Sequence, residues 1–196
     1  MIAQRDGEDG FGKGRMHCPV LATGRLVLRQ PQLDDAGDYV GLANHLKIAM
    51  MMTGMPHPYS RADAINFITR AAQPDVPGCT FAITLKNTGR LLGSAGLSVD
   101  KEQRLQIGYW LGEPFWGKGY ATETAHALVD LAFSNPSLTQ LSARCRVSNP
   151  ASRRVIEKCG FQFTGTGMLN SIAVGQFSAE HFTLERRVWQ SLKSWR

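Results

Sequence analysis

Trp116-Gly117-Lys118-Gly119-Tyr120-Ala121 is the stretch on which the reading of this chain turns. Two glycines and a lysine stand between an apolar, alternating run and the start of a helical pattern, which is how a chain builds a cradle for a diphosphate. Without a Cβ at Gly117 and Gly119, backbone N–H groups approach phosphate oxygens closely, and the dipole of the following helix favours the negative charge. A nucleotide-like guest is expected.

Upstream of the loop, Leu105, Ile107, Tyr109 and Leu111 alternate with Gln106, Gly108 and Trp110, the period of a strand that feeds the loop directly. Downstream, 121–133 reads as a helix stopped near Asn135-Pro136, and 138–147 reads as a strand. Asn149 then caps a short helix with Pro150 at its first position and Gly160 just past its end. The spans 161–164 and 182–188 close the pattern as strands.

Toward the N-terminus, 25–29 is a first strand stopped by Pro31, and Asp34 or Asp35 caps a helix running toward Met52. Met50-Met51-Met52 either packs the core or lines a pocket with adaptable side chains. Met55-Pro56-His57-Pro58-Tyr59 is a rigid loop. Ser60 with Asp63 forms a capping box for a helix through Arg70, and Asn87-Thr88-Gly89 turns a hairpin between 81–85 and 91–99. Strands with helices between them predict an α/β chain built on a mixed sheet. Residues 1–20 lack periodicity and read as a disordered leader; 21–196 are expected to form a single domain.

Composition sets bounds. At 196 residues and 43% hydrophobic content the chain can bury one good core. No apolar run reaches membrane-spanning length and the N-terminus lacks a secretory signal, so a soluble, cytoplasmic protein without a membrane partner is expected. Four cysteines, Cys18, Cys79, Cys145 and Cys159, show no paired spacing, so buried free thiols are expected rather than a zinc site or a disulfide framework. A net charge of +6 raises nucleic acid as a partner. The basic residues gather near the glycine loop and its downstream helix (Lys118, Arg144, Arg146, Arg153, Arg154, Lys158), and a polyphosphate ligand explains that clustering better than a duplex.

Taken together, Ile107-Gly108-Tyr109-Trp110-Leu111, the loop with Thr122-Glu123, Asn149-Pro150-Ala151-Ser152 and Glu157-Lys158-Cys159-Gly160-Phe161 resemble the GNAT superfamily of acetyl-CoA-dependent N-acetyltransferases, and within it the Rim-type branch that acetylates N-terminal amines of ribosomal proteins. The resemblance spans residues 25–189. It implies a strongly twisted mixed sheet flanked by helices, whose central parallel strands splay apart to admit coenzyme A. No metal is implied.

By position, the resemblance gives the amides of Gly117, Lys118, Gly119, Tyr120 and Ala121, with Thr122 beside them, to the pyrophosphate. Trp110 and Leu111 would pair through their backbones with the pantetheine, with Trp116 alongside. The Leu111 N–H would face the thioester carbonyl, whose oxygen gains charge during attack. Asn149 serves as helix cap and pantetheine ligand together; Ser152 either stands by the departing sulfur or is satisfied locally in its helix. Arg153, Arg154 and Lys158 are solvated helix charges, or one of them, Arg154 first, meets the ribose phosphate. Met55, Pro56, Tyr59 and Gln106, with the hairpin around 169–177, would wall the amine acceptor.

Two positions depart from the wider superfamily. Trp116 replaces the usual Gln or Arg, which suits the Rim-type branch. Gln106 stands where many relatives carry a Glu base, and an amide takes no proton usefully at neutral pH. An α-amine of pKa about 7.7–8.0 is roughly 10% neutral at pH 7, a lysine amine well under about 0.1%, so a weak base favours a peptide N-terminus or small amine over lysine. Glu102 is the alternative base, although its polar run reads as a surface turn; Glu123 suits the helix dipole. A non-catalytic acyl-CoA sensor is the competing reading, while a P-loop hydrolase fails because Thr122 does not follow the lysine directly. Monomer and homodimer both remain open.

Overall fold

The computed structural model describes Met16, residues 18–73 and residues 76–194. Most of the expected leader, including the Gly-Phe-Gly-Lys-Gly run at 10–14, lies outside the described residues.

Eight strands form one mixed sheet: β1 (Leu21–Ala22), β2 (Leu26–Arg29), β3 (Gly78–Leu85), β4 (Leu91–Val99), β5 (Leu105–Leu111), β6 (Gln140–Arg146), β7 (Gln162–Ser171) and β8 (Gly175–Glu185). Their spatial order is β1-β2-β3-β4-β5-β6-β8-β7. Every neighbouring pair is antiparallel except β5 and β6. A parallel pair needs a crossover, and α4 (Tyr120–Phe133) provides it.

Helices cover both faces. α4 and α5 (Pro150–Lys158) lie over a core of Leu26, Phe81, Ile83, Ile107, Leu128, Leu141 and Phe182. On the opposite face α1 (Ala36–Ala43), α2 (Leu46–Ala49) and α3 (Arg61–Ala71) enclose Tyr39, Ile48, Met55, Tyr59 and Ile68. Alternation along each strand assigns its side chains to these layers: Leu105, Ile107 and Leu111 join the α4 core, whereas Trp110 packs 6.0 Å from Tyr39 on the other side.

Three expectations change. The helix expected toward Met52 breaks into a 3-10 turn, α1 and α2, because Asn44 leaves helical geometry and its Oδ1 accepts the Tyr59 N–H at 3.0 Å. Asp35 does not cap α1 with its side chain; it accepts Gln32 N–H at 2.7 Å and pairs with Arg29 at 2.6 Å. Residues 186–188 belong to α6 (Arg186–Lys193) rather than the last strand; Trp189 stacks on Phe133 with centroids 5.0 Å apart, a contact between distant segments that overrides local strand propensity. The Ser60–Asp63 capping box forms as read, with Asp63 N–H to Ser60 Oγ at 3.2 Å and Ser60 N–H to Asp63 Oδ2 at 2.8 Å.

The cysteine reading is corrected in part. Cys18 and Cys79 form a disulfide across 61 residues, while Cys145 and Cys159 are buried and outside any disulfide, as expected. Sequence spacing carries no trace of the bridge, because β3 brings Cys79 beside the segment preceding β1 only after the sheet has formed. Disulfides are rare in cytosolic proteins, so the bridge weighs against the cytoplasmic expectation. Closing a loop of this length stabilises a fold by about 2–4 kcal/mol. Addition of a reductant is therefore expected to lower the melting temperature of the wild type and leave that of Cys18→Ala unmoved; equal melting curves with and without reductant would exclude a stabilising bridge.

Candidate acyl-transfer site

The site begins with a failure of strand pairing. β5 and β6 are matched only at Gln106↔Ser142 and Ile107↔Ala143, after which they part. β5 remains paired with β4 along its whole length, from Val99↔Leu105 to Gly93↔Leu111. The far edge of β5 therefore opens into a gap beyond Ile107.

Ladder alternation says which groups face that gap. Gly112 N–H bonds Leu92 O at 2.8 Å, so the even positions of β5, Trp110 among them, turn their backbone groups to β4, and the odd positions Tyr109 and Leu111 turn theirs to the gap. The expectation that Trp110 offers its backbone to a ligand is thus corrected: its N–H and C=O belong to the ladder with β4, although the residue lines the cavity. Leu111 keeps its N–H toward the gap, but its C=O accepts Trp116 Nε1 at 2.7 Å. Trp116, 44% exposed, ties the end of β5 to the glycine loop in this way.

The loop then turns on two left-handed residues, Gly117 with φ 73° and Gly119 with φ 79°. L-residues with a side chain avoid this region, which explains the choice of glycine at both. Gly119 is the N-cap of α4 and the helix has no side-chain cap. Its first intrahelical bond runs from Glu123 N–H to Gly119 O, so the amides of Tyr120, Ala121 and Thr122 have no helical acceptor. A 14-residue helix ending in free donors is a site for an anion.

What holds the loop was not visible in its own sequence. Glu123 accepts hydrogen bonds from Thr23 Oγ1 at 2.6 Å, Arg25 N–H at 2.8 Å and Arg25 Nε at 2.7 Å. Arg25 in turn donates to Lys118 O at 2.9 Å and lies over the Tyr120 ring, 4.6 Å from its centroid. Lys118 faces away from the cavity, its Nζ on Pro114 O at 2.9 Å, in keeping with a role for its backbone alone. Burial would raise the Glu123 carboxyl, but the hydrogen bonds from Thr23 and Arg25 outweigh it and hold the group below its usual range.

Across the gap, Asn149 Oδ1 accepts Ser152 N–H at 3.0 Å, the cap read from sequence. Ser152 Oγ lies 3.0 Å from the Tyr109 hydroxyl. Burial pushes the Tyr109 phenol well above its usual value despite the Ser152 contact, so it is protonated at every physiological pH. Tyr109 went unnoticed in the sequence because its position on an inward, apolar strand face reads as core.

These groups line one cavity of about 790 Å³, with Gly117, Gly119 and Arg154 at one end and Met51, Met52, Gln106, Arg144 and Arg146 at the other. Met51 lines the cavity, whereas Met52 both lines it and packs against the α1–α3 core. Met55 and Tyr59, expected on the acceptor wall, are buried in the α1–α3 core instead, and Pro56 does not reach the cavity. Their place is taken by Ile48 and the chain leaving α2, because the break at Asn44 swings that segment over the sheet; Leu169 and Phe177 line the cavity as expected.

Gln106 is not a free amide. Its Oε1 accepts Arg144 Nε at 2.9 Å and a second Arg144 N–H at 2.5 Å, and its Nε2 donates to Ser98 Oγ at 3.1 Å. Glu102 is exposed, pairs with Arg104 and stays outside the cavity. Among the described residues, the cavity wall contains neither a carboxylate nor an imidazole.

Residues 25–162 match the family model of the acetyltransferase (GNAT) domain. The chain belongs to the GNAT acetyltransferase family. The N-acetyltransferase YoaA of Bacillus subtilis is 30% identical over 151 residues, covering 75% of this chain and 85% of YoaA. The N-acetyltransferase p20 of Bacillus licheniformis is 29% identical over 152 residues, covering 74% of this chain and 83% of p20. Among solved structures, RimL, a ribosomal L7/L12 α-N-protein acetyltransferase in complex with coenzyme A, superposes with a TM-score of 0.69 at 18% identity, covering 85% of this chain and 97% of RimL, a likeness of fold.

As a GNAT acetyltransferase the protein is an enzyme whose acyl donor is acetyl-CoA. The residues present suit that donor: an uncapped helix N-terminus at one end of the cavity and a strand edge with inward N–H groups along it. The basic cluster read from the sequence divides at this point. Arg154 and Lys158 line the cavity from α5, Arg153 pairs with Glu157 and Glu180, and Arg144 and Arg146 belong to the other face of the sheet.

Proposed function

We propose that the chain transfers an acetyl group from acetyl-CoA to a primary amine, either a peptide or protein N-terminal α-amine or a small amine, by direct attack on the thioester. The observation that carries this reading is the opening of β5 from β6 beside the free donors of α4, in a cavity whose described wall has no base. Acetyl-CoA supplies the activated acyl group and a thiol leaving group. The amides of Gly117 to Thr122 hold the diphosphate; Leu111 N–H donates to the thioester carbonyl oxygen as charge develops there, and Tyr109 N–H, two residues back on the same strand edge, is left for a pantetheine carbonyl. Ser152 gives a hydrogen bond or a proton to the departing sulfur, and the Tyr109 hydroxyl keeps Ser152 in place.

Because the described cavity wall offers no carboxylate or imidazole to deprotonate the acceptor, the amine arrives neutral in this reading, which selects α-amines and other amines of low pKa over unperturbed lysine. The experiment is to mix purified protein with acetyl-CoA and a panel of peptides, small amines and lysine-bearing peptides with blocked N-termini, and to measure thiol release. Acetylation confined to lysine side chains would refute the acceptor class. Tight coenzyme A binding with no product from any amine would favour the sensor reading instead.

Ser152→Ala is expected to lower kcat about tenfold, below the range of about 10²–10⁴ usual for acid catalysis, since a thiol of pKa near 8.5 leaves readily as the thiolate. Tyr109→Phe should give a smaller fall in kcat with KM for acetyl-CoA unchanged. Steady-state kinetics check both; a Ser152→Ala enzyme with wild-type kcat, when chemistry is rate-limiting, would remove Ser152 from the reaction.

A further inference from the structure

We infer that the amine acceptor carries an oxyanion, a carboxylate or a phosphate, and that Arg144 and Arg146 receive it. The inference rests on the acyl-transfer reading of the cavity and adds the substrate class to it.

Alternation along β6 directs Leu141, Ala143 and Cys145 into the core beneath α4 and α5, so Arg144 and Arg146 project from the opposite face, away from the glycine loop. Both are half-buried and both line the cavity. Arg144 places two N–H groups on the neutral Gln106 oxygen. Arg146 donates to Met50 O and lies over the Phe177 ring, 4.2 Å from its centroid. Neither forms an ion pair with a carboxylate among the described residues.

Four other arginines behave differently, although half-buried Arg186, which does not line the cavity, also donates to backbone carbonyls alone. Arg25, Arg29, Arg104 and Arg153 each meet a carboxylate at 3.0 Å or less. Lys47 also lines the cavity, but Glu113 neutralises it at 2.6 Å. Two half-buried guanidinium groups without a counter-ion carry a partial desolvation penalty, and an oxyanion offered by a ligand relieves it. Guanidinium is also the group whose donor fork matches carboxylate and phosphate oxygens.

Gln106 acquires a meaning in this arrangement. A glutamate at 106 would neutralise Arg144 in place of the substrate; the amide positions the guanidinium and leaves its charge available. The same two cations help the chemistry. An acceptor's own anion raises the pKa of its amine, and nearby arginines cancel that rise, which preserves the neutral amine that a site without a base requires.

The test compares acceptors matched in their amine and different in charge, with wild-type protein first. Glu-initial against Gln-initial peptides place a side-chain carboxylate in question, an amino acid against its amide places the α-carboxylate, and O-phosphoethanolamine against ethanolamine places a phosphate. At least one anionic member is expected to exceed its neutral partner by tenfold or more in kcat/KM, with the margin shrinking as salt is added. The pair that shows it identifies the source of the anion.

Arg144→Gln and Arg146→Gln should each shrink the margin, chiefly through KM for the acceptor, while the coenzyme A Kd from calorimetry stays within twofold of wild type. Equal rates within all three pairs, better turnover of cationic polyamines, or a margin that survives both substitutions would overturn the inference. So would a weakened coenzyme A Kd with acceptor preference intact, which would give the arginines to the cofactor. Failure to bind coenzyme A, or no thiol release with any amine, would instead bring down the transfer reading and this inference with it.

Discussion

Gly119→Val is expected to weaken coenzyme A binding by about 100-fold, the equivalent of losing one or two charge-assisted hydrogen bonds of about 1.5–3 kcal/mol each. Gly119 sits at φ 79°, ψ 0°, where a β-branched residue is strained by about 1–3 kcal/mol. The chain relieves that strain by rotating the peptide planes on either side. Those are the planes that aim the amides of the loop and of Tyr120 at the cavity. A Cβ at this position would also stand 3.3 Å from an Arg25 guanidinium nitrogen and press on the anchor of the loop. Calorimetric titration with coenzyme A measures the effect directly, and an affinity within threefold of wild type would show that these amides do not hold the diphosphate. Gly117 differs in an informative way: a Cβ there meets no atom within 4 Å, so any loss in Gly117→Ala comes from backbone strain alone.

Glu123→Gln is the second large effect expected, and it acts on stability and cofactor affinity together. The carboxylate accepts three hydrogen bonds from Thr23 and Arg25 with its side chain 18% exposed, and it fastens the segment before β2 to the first turn of α4. Replacing it should lower stability by about 1–2 kcal/mol, a figure held down because Arg25 is half in solvent and its ion pair is screened. Coenzyme A affinity should fall about tenfold, since Arg25 then loses the partner that holds it against Lys118 O, and a tenfold change corresponds to about 1.4 kcal/mol.

The pH dependence of this effect has a definite sign. In the folded protein the Glu123 carboxyl lies below its usual value of 4.5. Its stabilisation is therefore complete above the unfolded-state pKa and is lost as pH falls through the depressed folded value. Wild type and Glu123→Gln should differ in urea unfolding at neutral pH and converge in acid. A gap of constant size down to the acid limit would show that shape, rather than charge, is what Glu123 contributes.

Much of the fold was legible because its signals are local. The alternation of 105–111 needs only its own residues to declare a strand, and Ser60 with Asp63 declares a helix start within four positions. Asn149 and Pro150 do the same for α5. The resemblance to the GNAT superfamily rested on four local stretches in order: 107–111, the glycine loop, 149–152 and 157–161. The helix expected toward Met52 failed for the opposite reason: the break at Asn44 is stabilised by the Tyr59 N–H, fifteen residues on. The disulfide and the docking of α6 on Phe133 likewise join segments distant along the chain.

The candidate site divides along the same line. Gly117, Gly119 and the first turn of α4 could be read directly, because a left-handed loop before a helix is a property of consecutive residues. Tyr109 beside Ser152, Glu123 beneath Arg25, and the removal of Met55 and Tyr59 from the acceptor wall could not.

By itself, then, the sequence determined the strand, loop and helix of the proposed diphosphate cradle, the cap at Asn149 and the membership of the chain in its family. Only the tertiary structure decided which backbone groups of β5 face the gap, which tyrosine meets Ser152, and which two cavity arginines on β6 have no carboxylate partner among the described residues. Periodicity and capping are set by energies among near neighbours, whereas the pairing of a charge or the end of a strand ladder depends on segments that meet only once the sheet has closed.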